Sequence, residues 1–317
     1  LQQTLTLHET LDSPAANGLA IRKLFAPYEA GGVTVEVLTV HNTPPENESN
    51  TTDFITIAIP GRQGKRSGGS APTLGVIGRN GAIGARPERV GLVSDADGPI
   101  GSLAVALKLA QMACKGDRLA GDVIVTTHLS TDVSMQPHDP VPFMGMPVSS
   151  DTMNRHQVLP EMDAILSIDA SKGNSIVKHR GFAISPTAMQ GYILRVSPDL
   201  VAIMESTTGS AAVTFPISQQ DITPYHNGLY HFNSIMQPHV ATEAPVVGVA
   251  LTAQSVVSGS ATGANHEVDI AEAVRFCVEV AKRFGSGRCQ FFDLVEWRKI
   301  RAIYPDMTPF QRAGTGR

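Results

Sequence analysis

The sequence is poor in the features that mark several large classes of protein. Only three cysteines occur in 317 residues, Cys114, Cys277 and Cys289, with no paired spacing. So odd and sparse a count excludes a disulfide framework and a cysteine-based zinc site, and each is expected to be a small buried apolar residue. No apolar run approaches the ~20 residues a membrane-spanning helix needs, and no charged-then-apolar leader opens the chain. The formal net charge is only -4, so neither nucleic acid nor an anionic membrane surface is an expected partner. The cytoplasm is the expected compartment. Hydrophobic residues make up 42% and charged residues 17%, which is enough apolar matter for a buried core and rules out wholesale disorder. With no internal repeat and no linker, a single domain over residues 1–317 is expected.

What is present is an alternation of strand and helix patterns. Apolar residues from Leu5 to Phe25 read as two entry helices broken at Ser13-Pro14, with Ser13 capping the second and Pro14 entering it. Val33 to Val40 and Phe54 to Ile59 alternate with period two and read as paired strands. Further strands are expected at Thr73–Gly78, Gly91–Val93, Asp122–Thr127, Met162–Ile168 and Val246–Leu251. Helices are expected at Ile100–Met112, Pro198–Ser206 and Val268–Phe284, and a long loop at about Ser130–Ser150. This order implies a three-layer α/β fold: a mixed, mostly parallel sheet with helices on both faces. The turn from Gly61 to Ser70 carries Gly and Lys but lacks the strand–loop–helix spacing of a phosphate loop.

In open α/β sheets, ligands bind beyond the carboxyl ends of the strands, and polar residues gather there one strand after another. Asp95 and Asp97, among glycines at a helix start, suit metal ligation or a helix cap. His128 and Asp132, then His138 and the Pro-flanked Asp139, are potential ligands or a solvated polar loop. Asp169 ends an apolar strand, pointing into the crevice or bonding its own loop. His266 opens the long helix as a ligand or a general acid/base, with Glu267 and Asp269 complementing the helix dipole. His179, Asp221, His226, His231 and His239 are lesser candidates, each more simply structural or exposed. Independent caps would have no reason to track strand ends so consistently.

Three stretches carry a distant resemblance over nearly the whole chain. Asp97 with Gly101 starting an apolar helix, Ser167-Ile168-Asp169, and the entry around Leu11-Asp12-Ser13-Pro14 are similar to the catalytic domain of co-catalytic zinc aminopeptidases of the tetrahedral and glutamyl type. That resemblance implies a phosphorylase/hydrolase-like fold, a bridging Asp at Asp97 and a last His ligand near His266. The family's inserted lid domain is absent, since only six residues separate Gly84 from Gly91. Its first His-x-Asp motif falls where Arg79 and Gly81 stand, and arginine is always protonated and offers only donors. Thr131-Asp132 is the nearest match to its paired glutamates. More closely, the strings GARPE, VSDADG, HDPVPFMG, MDAILSID, HRGFAISPT and ITPYHNGLYH resemble an uncharacterised family, domain of unknown function 1177.

The leading expectation is therefore a metal-dependent hydrolase of an amide bond, peptide-like or lactam-like, in a small carboxylated substrate. Asp97, His128, Asp169 and His266 are the expected ligands of a divalent metal, zinc before manganese or iron. Asp132, His138 and Arg79 are the expected catalytic residues; Arg79, Arg86 and Asp139 are expected to hold the substrate. A metal-free small-molecule-binding protein on a degenerate peptidase fold, or a His/Asp acid–base isomerase, is the alternative. By analogy with oligomeric peptidases, a homo-oligomer is expected.

Overall fold

The alternating stretches near the start of the chain form an antiparallel pair, β1 (Thr34–His41) and β2 (Thr51–Ile59). The computed structural model describes residues 1–42, 50–217 and 233–311. Ahead of the pair lie α1 (Gln2–Leu11) and α2 (Gly18–Phe25); after it come β3 (Leu74–Gly78), α3 (Asp97–Cys114) and β4 (Val123–Leu129). A two-residue hairpin, β5 (Met135–Gln136) and β6 (Phe143–Met144), precedes α4 (Ser150–Gln157) and β7 (Ala164–Ala170). Short strands β8 (Gly181–Ile184), β9 (Ala188–Met189) and β10 (Tyr192–Ile193) lead to α5 (Pro198–Thr208) and β11 (Val246–Thr252). The described chain closes with α6 (Glu267–Gly285) and α7 (Leu294–Ile303).

One sheet runs in the order β1-β2-β4-β3-β7-β11-β9-β10, with β8 also paired to β11. Its centre, β4-β3-β7-β11, is parallel, and the flanking pairs are antiparallel. The expected mixed α/β sheet is thus the one observed. Because strand side chains alternate between faces, odd and even residues enter different cores. Val76, Val125, Leu166 and Val249 join the larger core under α1, α3, α5 and α6. Ile77, Ile124, Ile165 and Ala250 face the opposite layer, built by α4 and the 3₁₀ segment Ser234–Ala241. Helices cover both faces.

Several local expectations need correction. The second entry helix begins at Gly18, capped by the Asn17 side chain, which accepts from Ala20 N at 2.9 Å; Ser13 caps only a short turn, accepting from Ala15 N. An Asx cap satisfies a helical N–H, so it wins over the Ser-Pro break. Gly91–Val93 forms no strand, only a bridge from Val93 to Thr262. Cys114 is exposed where α3 runs out of the core, while Cys277 and Cys289 are buried as expected. The glycine-containing turn at 61–70 has its amides taken internally: Asp122 accepts from Gly61 N at 2.8 Å and Arg66 N at 2.9 Å. No described helix is long and apolar enough to cross a membrane.

Candidate functional site

Strand register alone brings three of the singled-out residues side by side. Ile77 pairs with Thr126 on β4 and with Ser167 on β7. Two residues further on, with the same phase and so the same face, come Arg79, His128 and Asp169. The backbone continues the pairing, since Arg79 N donates to Ile168 O at 2.8 Å. All three side chains therefore point toward the layer made by α4 and the 3₁₀ segment, and all three are buried.

That layer supplies the partners of Arg79. Its guanidinium donates to Gln157 Oε1 at 3.2 Å and to Gln237 Oε1. Gln157 in turn donates to Gly78 O at 3.2 Å, which fixes the clamp to the end of β3. Burial lowers the Arg79 pKa to about 10, and the nearby Asp169 carboxylate opposes the fall, so the group stays protonated at neutral pH. His128 answers in the opposite sense. Burial, then the Arg79 charge, pull its pKa down to about 3, with Gln157 resisting, so the ring is neutral. Its Nε2 accepts from Gly81 N at 3.2 Å, which leaves the proton on Nδ1. Only glycine lets that amide approach: a Cβ on Gly81 would lie 2.0 Å from His128 O. The preceding Asn80 holds a left-handed backbone, φ 59°, an uncommon conformation for a non-glycine residue.

A second cation lies beyond β7. The Lys172 ammonium pairs with Asp97 Oδ2 and donates to Ala264 O at 2.5 Å. The other Asp97 oxygen accepts from Asn265 Nδ2 at 2.8 Å. Asp97 begins α3, where the helix dipole favours a carboxylate. Burial nevertheless raises its pKa, with Lys172, Asn265 and His266 pulling the other way.

Arg79, Lys172, His128 and His138 line one cavity of about 110 Å³, together with Ser94, Asp95 and the 140–147 loop. Asp97 and Asp169 are not among the lining residues; Asp97 pairs with Lys172, and the Asp169 charge acts on Arg79. His138 sits at the loop, stacked edge-on against Phe143 with Nδ1 3.3 Å from Val141 O. The other expected site residues lie elsewhere. Asp132 is half-buried in a bridge with Ala85, and Asp139 is exposed. Arg86 binds the end of α1, donating to Asp12 O at 3.0 Å, so it serves the entry helices in place of a ligand. His266 opens a separate cleft beside Arg180 and Asp269, its Nδ1 3.8 Å from Asp269 Oδ2. His179 lines a neighbouring cleft, and His239 is buried with Nδ1 3.1 Å from Met236 O. Asp221, His226 and His231 lie outside the described residues.

These donors do not fit a divalent metal. Among the described residues no three His, Cys, Asp or Glu side chains gather so as to hold one. The physical reasons are specific: one Asp97 oxygen is engaged by Lys172 and the other by Asn265, the His128 lone pair faces Gly81 N, and His266 faces Asp269. The expected ligand set Asp97, His128, Asp169 and His266 does not assemble. The sequence pattern does not single out Lys172, Gln157 or Gln237, which hold Asp97 and Arg79 in place.

Solved structures resemble this fold at low identity. The bottromycin maturation enzyme BotP aligns with TM-score 0.53 and 13% identity over 90% of this chain and 70% of its own. A Porphyromonas gingivalis glutaminyl cyclase aligns with TM-score 0.51 and 10% identity over 90% and 95%. A tomato leucine aminopeptidase mutant aligns with TM-score 0.50 and 11% identity, over 87% of this chain but only 60% of the tomato enzyme. Identities this low show the fold alone, and that fold is aminopeptidase-like. No curated protein matches the sequence. The profile described as protein of unknown function (DUF1177) matches residues 43–314, and the chain belongs to that family.

Proposed function

We propose that the protein binds a small carboxylated molecule in the cavity at the carboxyl ends of β3, β4 and β7, with Arg79 and Lys172 supplying positive charge without a metal. The observation that carries this reading is the pair of buried cations lining one cavity, Arg79 only 3% and Lys172 only 2% exposed. Burying a cation is costly unless it is paired and hydrogen-bonded. Pairing with Asp97 offsets that cost for Lys172 and the Asp169 charge does so for Arg79, so both cationic groups are held at the cavity lining. The planar guanidinium, fixed by two glutamine oxygens, is preorganised for a carboxylate. Among the described residues the Lys172 ammonium has two acceptors, which leaves its third N–H for a ligand.

The competing reading, zinc-dependent hydrolysis of an amide bond, is favoured by the fold likeness and opposed by the donor set. Elemental analysis of purified protein, paired with calorimetry against 4-methylpentanoate and its uncharged amide, decides between them. The expected result is substoichiometric metal, binding of the acid and none of the amide. Stoichiometric zinc, manganese or iron, removable by chelator with loss of binding, sinks the proposal.

A further inference from the structure

The cavity that holds the two cations is also lined by a carboxylate. Asp95 lies in the 3₁₀ turn Ser94–Ala96 ahead of α3 and is 8% exposed. The turn is pinned by its backbone, Ser94 N donating to Ala261 O at 2.8 Å and Asp95 N to Gly259 O at 3.1 Å. Its carboxylate lies over Gly259, another cavity-lining residue: a Cβ there would sit 2.5 Å from Asp95 Oδ1 and 3.0 Å from Oδ2. Glycine thus makes room for the acid at the cavity edge. Beside it, the Ser94 hydroxyl is wholly buried, lines the cavity and has no hydrogen-bond partner among the described residues. A buried hydroxyl without a partner is costly, and a ligand group in the cavity is the partner within its reach.

The lining also has apolar members, Val141, Phe143, Met144, Met146, Met153 and Val257. Methionines of this kind adapt to ligand shape. Three chemistries therefore meet in one small space: cationic, anionic with a spare hydroxyl, and apolar. We infer that the occupant is a zwitterionic amino acid with an apolar side chain, its carboxylate on Arg79 and Lys172, its ammonium on Asp95 and Ser94, and its side chain among the methionines. This rests on the carboxylate-binding reading above and adds the ammonium pole to it.

The test is calorimetry on the whole protein with three matched probes: leucine, 4-methylpentanoate, which lacks the ammonium, and 3-methylbutylamine, which lacks the carboxylate. Leucine is expected to bind at least about tenfold more tightly than either, one tenfold step corresponding to about 1.4 kcal/mol. The near-isosteric Asp95→Asn variant, with a melting curve checked against the parent, is expected to bring leucine down to the level of 4-methylpentanoate. The acid itself is expected to bind the variant at least as tightly. Equal binding of leucine and 4-methylpentanoate by the parent overturns the ammonium site and leaves the carboxylate reading standing. Failure of both carboxylated probes, or binding of the amine alone, overturns the two together.

Discussion

The Lys172 ammonium is lodged against the Asp97 carboxylate, with both side chains sealed from solvent and Ala264 O accepting a second bond at 2.5 Å. A lysine thus stands where the sequence suggested a metal at Asp97. Such a pair is tightly coupled to folding, because removing one member strands the other in a medium that cannot solvate it. Lys172→Met is expected to destabilise the protein by about 3–5 kcal/mol. The double variant with Asp97→Asn is expected to recover a large part of that loss, since no uncompensated charge remains. Urea denaturation of the parent, both single variants and the double variant reads the coupling directly. Additive losses would show that the contact has little energetic weight.

His128 gives a pH dependence whose direction is fixed by its environment. Burial and the Arg79 charge hold the folded-state pKa at about 3, against an ordinary value of 6.5. Between those limits the unfolded chain carries a proton on this ring that the folded chain does not. Stability from this group is therefore complete above about pH 6.5 and falls as pH falls toward 3. At pH 4.5, two units below the ordinary value, the loss is on the order of 2–3 kcal/mol. His128→Gln is expected to shrink the stability difference between pH 7 and pH 4.5 by about that amount, the other titrating groups being common to both proteins. Urea midpoints at the two pH values check it; parallel losses in parent and variant would refute the assignment.

The central part of this arrangement was legible in the sequence. β3, β4 and β7 are buried on both faces, but side chains still alternate along each strand, so Arg79, His128 and Asp169 fall on one face once the strands are aligned. The apolar runs end before the strands do: His128 and Asp169 lie inside β4 and β7. Lys172 was harder, because its reach to Asp97 depends on how the 171–174 loop turns, which no periodicity encodes. Helix α4 was missed for a different reason. Its buried face includes Asn154 and Gln157, so the apolar repeat that usually betrays a helix is diluted just where the helix serves the site. Arg86, expected to hold substrate beside Arg79, belongs instead to the α1 junction.

Asp122 supports the sheet from its amino-terminal side. It is buried just before β4 and accepts from two backbone amides, Gly61 N and Arg66 N, so it closes the 61–70 turn. Asp122→Asn replaces one carboxylate oxygen with an amide donor facing a donor, at a cost of about 1–3 kcal/mol. Hydrogen exchange is expected to quicken at Gly61 and Arg66 while amides of the β7 and β11 core stay protected. Unchanged exchange in the turn would mean that the carboxylate does not hold it.

Arg79→Lys separates charge from geometry at the cavity. Lysine keeps the positive charge but offers a single ammonium, which cannot bridge Gln157 and Gln237 and still present a planar face to a carboxylate. A point charge also attracts water more strongly, which favours retreat from the wall. If the guanidinium fork is what recognises the ligand, 4-methylpentanoate should bind the variant about 10–100-fold more weakly, a loss of about 1.4–2.8 kcal/mol. Arg79→Met is expected to abolish binding. Calorimetry distinguishes the cases: equal affinity for parent and Arg79→Lys would reduce the role of Arg79 to its charge, and equal affinity for Arg79→Met would remove it from the site altogether.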